Sequence, residues 1–190
     1  MNYSKIIKFD TGNSHGISTT LFVSGCNNCC TGCHNPQSWD KDYGEEFDSS
    51  VALDLITSLN NPHIKYLVLS GGDPLFESNT RTIVDLIYDV RTFAPNIKII
   101  LYTGLTIEQI LESDDPVKHL ILRKIDYLID GKYDETKKSS CIDLRGSVNQ
   151  RCFKRNKISG TVCSKFEDIS DEYFKEKTYH TTDQFKTYYI

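Results

Sequence analysis

An α/β fold with a mainly parallel sheet and crossover helices is predicted by three observations. Short apolar runs alternate with stretches of helical periodicity, each run ends on a turn containing Gly or Asp, and a helix follows most of the turns. Residues 6–9 and 17–23 read as two strands separated by Asp10-Thr11-Gly12-Asn13-Ser14-His15-Gly16, and the second strand runs straight into Cys26. Apolar residues at 51, 52, 55, 56 and 59 predict a helix over 49–59 behind a serine cap, closed by Asn61-Pro62. Residues 66–69 form a buried strand ending on Ser70-Gly71-Gly72-Asp73-Pro74, from which a helix over about 78–93 departs. Residues 97–102 repeat the strand and Thr103-Gly104 the turn. A shorter helix from Ile107 breaks near Pro116, and residues 125–129 give a last apolar strand before Asp130-Gly131. Parallel sheets gather ligands at the carboxyl ends of their strands, which here carry Cys26, Gly71, Thr103 and Asp130. Taken singly, Gly-Gly-Asp-Pro and Asp-Gly are ordinary turns.

A chain of 190 residues fits one catalytic unit, expected over residues 1–163, followed by a polar appendage over 164–190 rich in Tyr, Lys, Asp and Thr. The formal net charge of -4 argues against a nucleic-acid binder that works by neutralising phosphates. No apolar run approaches the roughly 20 residues of a membrane span, and the start MNYSKIIKFD lacks the long apolar stretch of a signal peptide, so a cytoplasmic protein is expected. Residues 132–157 hold eight Lys or Arg against three Asp or Glu. Such a run is usually solvated surface and is also a candidate docking face.

Seven cysteines is an odd number, and four of them fall in Cys26-Asn-Asn-Cys29-Cys30-Thr-Gly-Cys33, which favours metal binding over disulfides. Thiolates suit zinc, copper(I) or iron-sulfur clusters. Four-cysteine zinc sites usually come as two separated C-x2-C pairs, and no second pair is present: Cys141, Cys152 and Cys163 are singletons, each as compatible with a small buried hydrophobe as with a ligand. Cys26, Cys30 and Cys33 form C-x3-C-x2-C, which holds a cubane by three thiolates and leaves one iron open for chemistry. A pairing through Cys29, or zinc on all four cysteines, is also allowed by spacing.

This motif on the loop after a first strand resembles the radical S-adenosylmethionine superfamily. There the three cysteines bind a 4Fe-4S cluster whose fourth iron chelates S-adenosylmethionine, and a 5'-deoxyadenosyl radical abstracts a hydrogen atom. Phe22-Val23-Ser24-Gly25-Cys26 and Gly32-Cys33-His34-Asn35-Pro36, with Trp39 beyond, narrow the likeness to activators of anaerobic, class III ribonucleotide reductases. Gly71-Gly72-Asp73-Pro74-Leu75 is similar to that family's GGEPL turn, Leu101-Tyr102-Thr103-Gly104 to its YTG segment and Ile129-Asp130-Gly131-Lys132-Tyr133 to its VDG segment. Leu144-Arg145-Gly146-Ser147-Val148-Asn149-Gln150-Arg151 resembles its RGSxNQR signature, so the likeness covers roughly residues 1–152.

The resemblance implies a small, incomplete TIM-type barrel with Cys26, Cys30 and Cys33 on the cluster and Gly71, Gly72 and Asp73 lining the methionine end of S-adenosylmethionine. His34 would stack on the adenine, Thr103 and Asp130 would make supporting contacts, and Arg145, Asn149 and Gln150 would meet cofactor or partner. Cys29 would be a bystander. The implied activity is generation of a glycyl radical on the large subunit of the anaerobic reductase, fed by a one-electron donor such as a flavodoxin. Departures from the pattern are Asp73 for Glu, His34 for a larger aromatic residue, Ser18 where Arg is common, and a longer connection over 134–143. Two other readings fit the cysteines: a radical enzyme with another glycyl radical enzyme or a small molecule as target, and a non-catalytic zinc or iron-sulfur interaction module.

Overall fold

The computed structural model describes residues 1–139, 142–158, 164–170 and 187–190. In chain order its elements are β1 (Asn2–Asp10), β2 (Ser18–Val23), β3 (Glu45–Glu46), α1 (Ser49–Leu59), β4 (Tyr66–Gly71), α2 (Thr80–Phe93), β5 (Lys98–Tyr102), α3 (Ile107–Leu111), α4 (Pro116–Leu122), β6 (Tyr127–Asp130), β7 (Arg151–Lys157), β8 (Ser164–Asp168) and β9 (Thr187–Tyr189). Among the described residues the nine strands form one sheet in the order β3-β1-β2-β4-β5-β6-β7-β8-β9.

The expectation of a mainly parallel sheet is corrected. Only β2-β4, β4-β5 and β5-β6 pair parallel, whereas β1-β2, β1-β3, β6-β7, β7-β8 and β8-β9 pair antiparallel. The reason lies in the connections. Parallel neighbours need a crossover, and α1, α2 and the α3-α4 pair supply three of them. A loop of seven residues joins β1 to β2, too short for a crossover. Among the described residues between β6 and β7, the chain forms a short 3-10 turn, Glu135–Lys137, and no α-helix before returning as β7. The fold is therefore mixed α/β with a parallel centre and antiparallel flanks.

Side chains along the central strands alternate between two packed faces. Leu67, Leu69, Ile99, Leu101 and Leu128 join the large core with Leu55, Ile83, Ile87, Ile110 and Ile121 from the helices. Val68, Ile100 and Ile129 point the other way into a smaller cluster with Cys152 and Ile169. Each fully buried Leu or Ile contributes about 1.5–3 kcal/mol. Cys152 takes the small-hydrophobe role, and burial pushes its thiol up to about 12; Cys141 and Cys163 lie outside the described residues.

Local signals set the helix ends. The cap of α1 is Asp48, which accepts from Val51 N at 2.9 Å, rather than one of the serines that follow it. Pro116 starts α4 at its first turn after Asp115 caps it, which explains the break after Leu111. Beyond residue 163, β8 and β9 extend the same sheet, with Phe166 fully buried and the Tyr188 hydroxyl donating to Glu108 on α3.

Candidate iron-sulfur and cofactor site

The carboxyl ends of β2, β4, β5 and β6 open on a cavity of about 600 Å³. Its wall includes Cys26, Cys30, Cys33, His34, Gly71, Gly72, Thr103 and Arg145. Cys26, Cys30 and Cys33 are half-buried, whereas Cys29 is exposed, has a left-handed φ of 46° and is absent from the cavity wall. Its backbone makes the bend that lets the flanking cysteines face one space.

Two anchors hold the cysteine loop. Gly25 N donates to Ser38 O at 2.8 Å and Cys26 N to Trp39 O at 3.2 Å, so the short turn Pro36–Trp39 closes back on the loop's start. Opposite it, Gly72 N donates to Val23 O at 2.7 Å and Asp73 N to Gly25 O at 2.8 Å, which continues the β2-β4 pairing past the strand ends. This close lacing requires glycine. A Cβ on Gly71, at φ 104°, would lie 2.5 Å from Val23 N, and one on Gly72 would lie 2.5 Å from Gly25 O.

Asp73 does not line the cavity. Its buried carboxylate accepts from Leu75 N at 2.9 Å, Thr103 Oγ1 at 2.8 Å, Gly104 N at 3.1 Å and Asn28 Nδ2 at 3.0 Å. Burial pushes this carboxyl up, against the four donors that favour its charged form. Asp130 also faces inward, 0 % exposed, with Arg151 Nε at 3.0 Å and Ile107 N at 2.7 Å as donors. It ties the end of β6 to the start of α3. Arg145 reaches the wall while donating to Gln150 O at 3.0 Å and Ser170 O at 3.1 Å. Asn149 and Gln150 donate to Lys132 O and Gly131 O, and Gln150 Oε1 accepts from Gly146 N at 2.8 Å. The RGSVNQR segment thus folds on itself and on the turn after β6.

The donor set fits an iron-sulfur cluster. Three thiols share one cavity, and cysteine thiolates are the ligands that iron-sulfur clusters take. Burial pushes the Cys26 and Cys30 thiols up. The backbone N–H of Asn28 meets Cys26 Sγ at 3.4 Å, and such a donor favours the thiolate once a metal replaces the proton.

A family model described as a 4Fe-4S single cluster domain matches residues 12–153. The chain is 35 % identical over 156 residues to the anaerobic ribonucleoside-triphosphate reductase-activating protein of Pasteurella multocida, covering 81 % of this chain and 98 % of that one. The proteins of the same name from Haemophilus influenzae and Escherichia coli K12 are 36 % and 35 % identical over 152 residues, covering 79 % of this chain and 96 % of each. The chain belongs to the anaerobic ribonucleoside-triphosphate reductase-activating protein family. It carries the iron-sulfur domain of that family and exceeds these relatives in length.

Within this activating-protein fold the sequence reading missed Asn28, Tyr133 and Asn79. The Tyr133 ring lies on the cavity wall with its centroid 5.6 Å from that of exposed His34. Asn79, buried at the start of α2, donates to Ser24 O at 2.8 Å and Asp73 O at 2.9 Å. Asparagines in loops carry no periodic signal, and only the partners that they meet 45 to 55 residues away reveal them. Tyr133 follows the Asp130-Gly131 turn and was visible only as part of that motif.

Proposed function

We propose that this protein generates the glycyl radical on the large subunit of an anaerobic ribonucleotide reductase by reductive cleavage of S-adenosylmethionine. The observation that carries the reading is the meeting of Cys26, Cys30 and Cys33 with Gly71 and Gly72 around one cavity. Cys26, Cys30 and Cys33 hold the 4Fe-4S cluster. When bound, that group supplies one electron to the sulfonium, yielding methionine and a 5'-deoxyadenosyl radical that takes a hydrogen atom from a glycine of the reductase.

The chain's own residues bind and orient. Gly71 and Gly72, on the cavity wall, would offer backbone carbonyls to the ammonium end of the cofactor, with Asp73 and Thr103 stiffening the turn behind them. The guanidinium of Arg145 suits a carboxylate, His34 and Tyr133 suit the adenine, and Asp130 supports the wall from behind. The parallel centre β2-β4-β5-β6 is read as an incomplete TIM-type barrel, with residues 1–163 as the catalytic unit and β8 and β9 as an edge addition. The work is cytoplasmic and needs a one-electron donor such as a flavodoxin. Among the described residues no helix is long and apolar enough to cross a membrane.

The test is anaerobic reconstitution followed by mixing with the reductase large subunit, S-adenosylmethionine and a reductant. The expected result is a brown protein with about four irons and a glycyl doublet by electron paramagnetic resonance. A colourless zinc protein, or cofactor cleavage with no glycyl signal on the reductase, overturns the assignment.

The basic segment 132–157 divides along the fold. Lys132, Lys137 and Lys138 lie in the connection that carries Tyr133 to the cavity, whereas Lys154 sits opposite Tyr127 at the far end of β6. The Lys137→Glu/Lys138→Glu pair is expected to weaken reductase binding by roughly tenfold at low ionic strength, with Lys154→Glu close to parent. Equal effects from both, measured by titration binding, would rule out docking at the cavity mouth.

A further inference from the structure

We propose that Asn28 sets the reduction potential of the iron-sulfur cluster by donating one amide hydrogen to the sulfur of Cys26 while its second hydrogen is fixed on buried Asp73. The inference rests on Cys26 being a cluster ligand, as in the functional reading above. Asn28 Nδ2 stands 3.3 Å from Cys26 Sγ and 3.0 Å from Asp73 Oδ2. The two contacts use both hydrogens of the amide and decide its orientation, because the flipped amide would turn its carbonyl oxygen against a carboxylate and a thiolate. Asp73 is itself immobilised by Thr103, Gly104 and Leu75. The donor is therefore held in place before any charge arrives on the sulfur.

An N–H donor on a ligand sulfur stabilises the reduced, more negative cluster over the oxidised one and so raises its potential. The same amide keeps the Asp73 carboxylate from facing the cluster unscreened, which acts in the same direction. Asn28 is thus a positioning residue acting through Cys26 and Asp73.

Gly104 makes the arrangement possible. A Cβ at that position would lie 2.1 Å from Asn28 Nδ2 and 2.4 Å from its Cγ, while the Gly104 φ is not left-handed. Gly104→Ala leaves the backbone unstrained and pushes the amide off its two acceptors, which gives a second perturbation that keeps Asn28 itself.

The experiment titrates the cluster potential by electron paramagnetic resonance in the reconstituted parent, Asn28→Leu and Gly104→Ala proteins, without S-adenosylmethionine or reductase, alongside iron and sulfide analysis. Both variants are expected to hold as much iron as the parent and to shift the midpoint to more negative potential. The backbone N–H of residue 28, 3.4 Å from Cys26 Sγ, survives in both and limits the shift. An unchanged midpoint at full iron content overturns the proposal. Loss of the cluster from both variants also overturns it, making Asn28 a structural prop of the loop. A parent protein that binds no cluster overturns the functional reading itself and the inference with it.

Discussion

Replacing Cys30 by Ala is expected to remove the cluster and with it the glycyl signal, whereas Cys29→Ala should retain both. The two residues are neighbours in sequence and opposites in space. The Cys30 thiol is half-buried on the cavity wall. The Cys29 side chain is exposed at a backbone position of φ 46° and is not on that wall. Removing Cys30 leaves two thiols, too few to hold a cubane against loss to solvent. Iron per chain should fall from about four to near zero and the radical yield below detection. Alanine at position 29 keeps a left-handed conformation that already costs about 1–2 kcal/mol for a residue with a Cβ, so stability should change little. The measurement is iron analysis and the glycyl doublet on the same anaerobic preparations. Retention of iron by Cys30→Ala with its loss from Cys29→Ala would move the ligand set to Cys26, Cys29 and Cys33.

The part of this site legible in the sequence was the part written in short-range patterns. C-x3-C-x2-C, the Gly71-Gly72-Asp73 turn and the apolar runs of β4, β5 and β6 each report their structure within a few residues, and they converge at the strand ends as expected. Strand direction on the flanks was not legible. β7, Arg-Cys-Phe-Lys-Arg-Asn-Lys, has no apolar run, and its antiparallel return is set by pairing with β6 across a 20-residue connection. Side-chain aim was hidden for the same reason. Asp73 and Asp130 both stand at strand ends, where a carboxylate reads as a ligand contact. Their partners, Asn28, Thr103, Ile107 and Arg151, come from 21 to 45 residues away and turn both carboxylates inward.

The largest loss of stability from a single change outside the core is expected at Arg151, whose removal strands Asp130. The guanidinium bridges two acids: it meets Asp130 Oδ2 at 2.5 Å and Glu108 Oε2 at 2.6 Å, and lies 5.0 Å from the Phe153 ring. Asp130 is wholly buried, so Arg151→Ala leaves a desolvated carboxylate with only the Ile107 amide as a donor, a loss of about 3–5 kcal/mol. For a chain of this size each kcal/mol lowers the melting temperature by about 2–4 °C. The pH dependence carries the diagnosis. In the parent, Arg151 holds Glu108 well below the usual carboxylate range, so this contribution is present above the ordinary glutamate pKa and fades as pH falls through the lower folded value. Asp130 has the opposite sign: burial already pushes its carboxyl up, and without Arg151 it rises further. A raised carboxyl pKa favours the folded state as protons bind, so the deficit of Arg151→Ala should be greatest near neutrality and shrink toward pH 5. Urea unfolding of parent and variant at both pH values measures it. Pairing Arg151→Met with Asp130→Asn, which removes the stranded charge, should recover most of the loss, because deleting both partners of a buried ion pair costs far less than deleting one. A deficit that stays constant with pH and survives in the double variant would mean that Arg151 acts by packing on Phe153 rather than by neutralising Asp130.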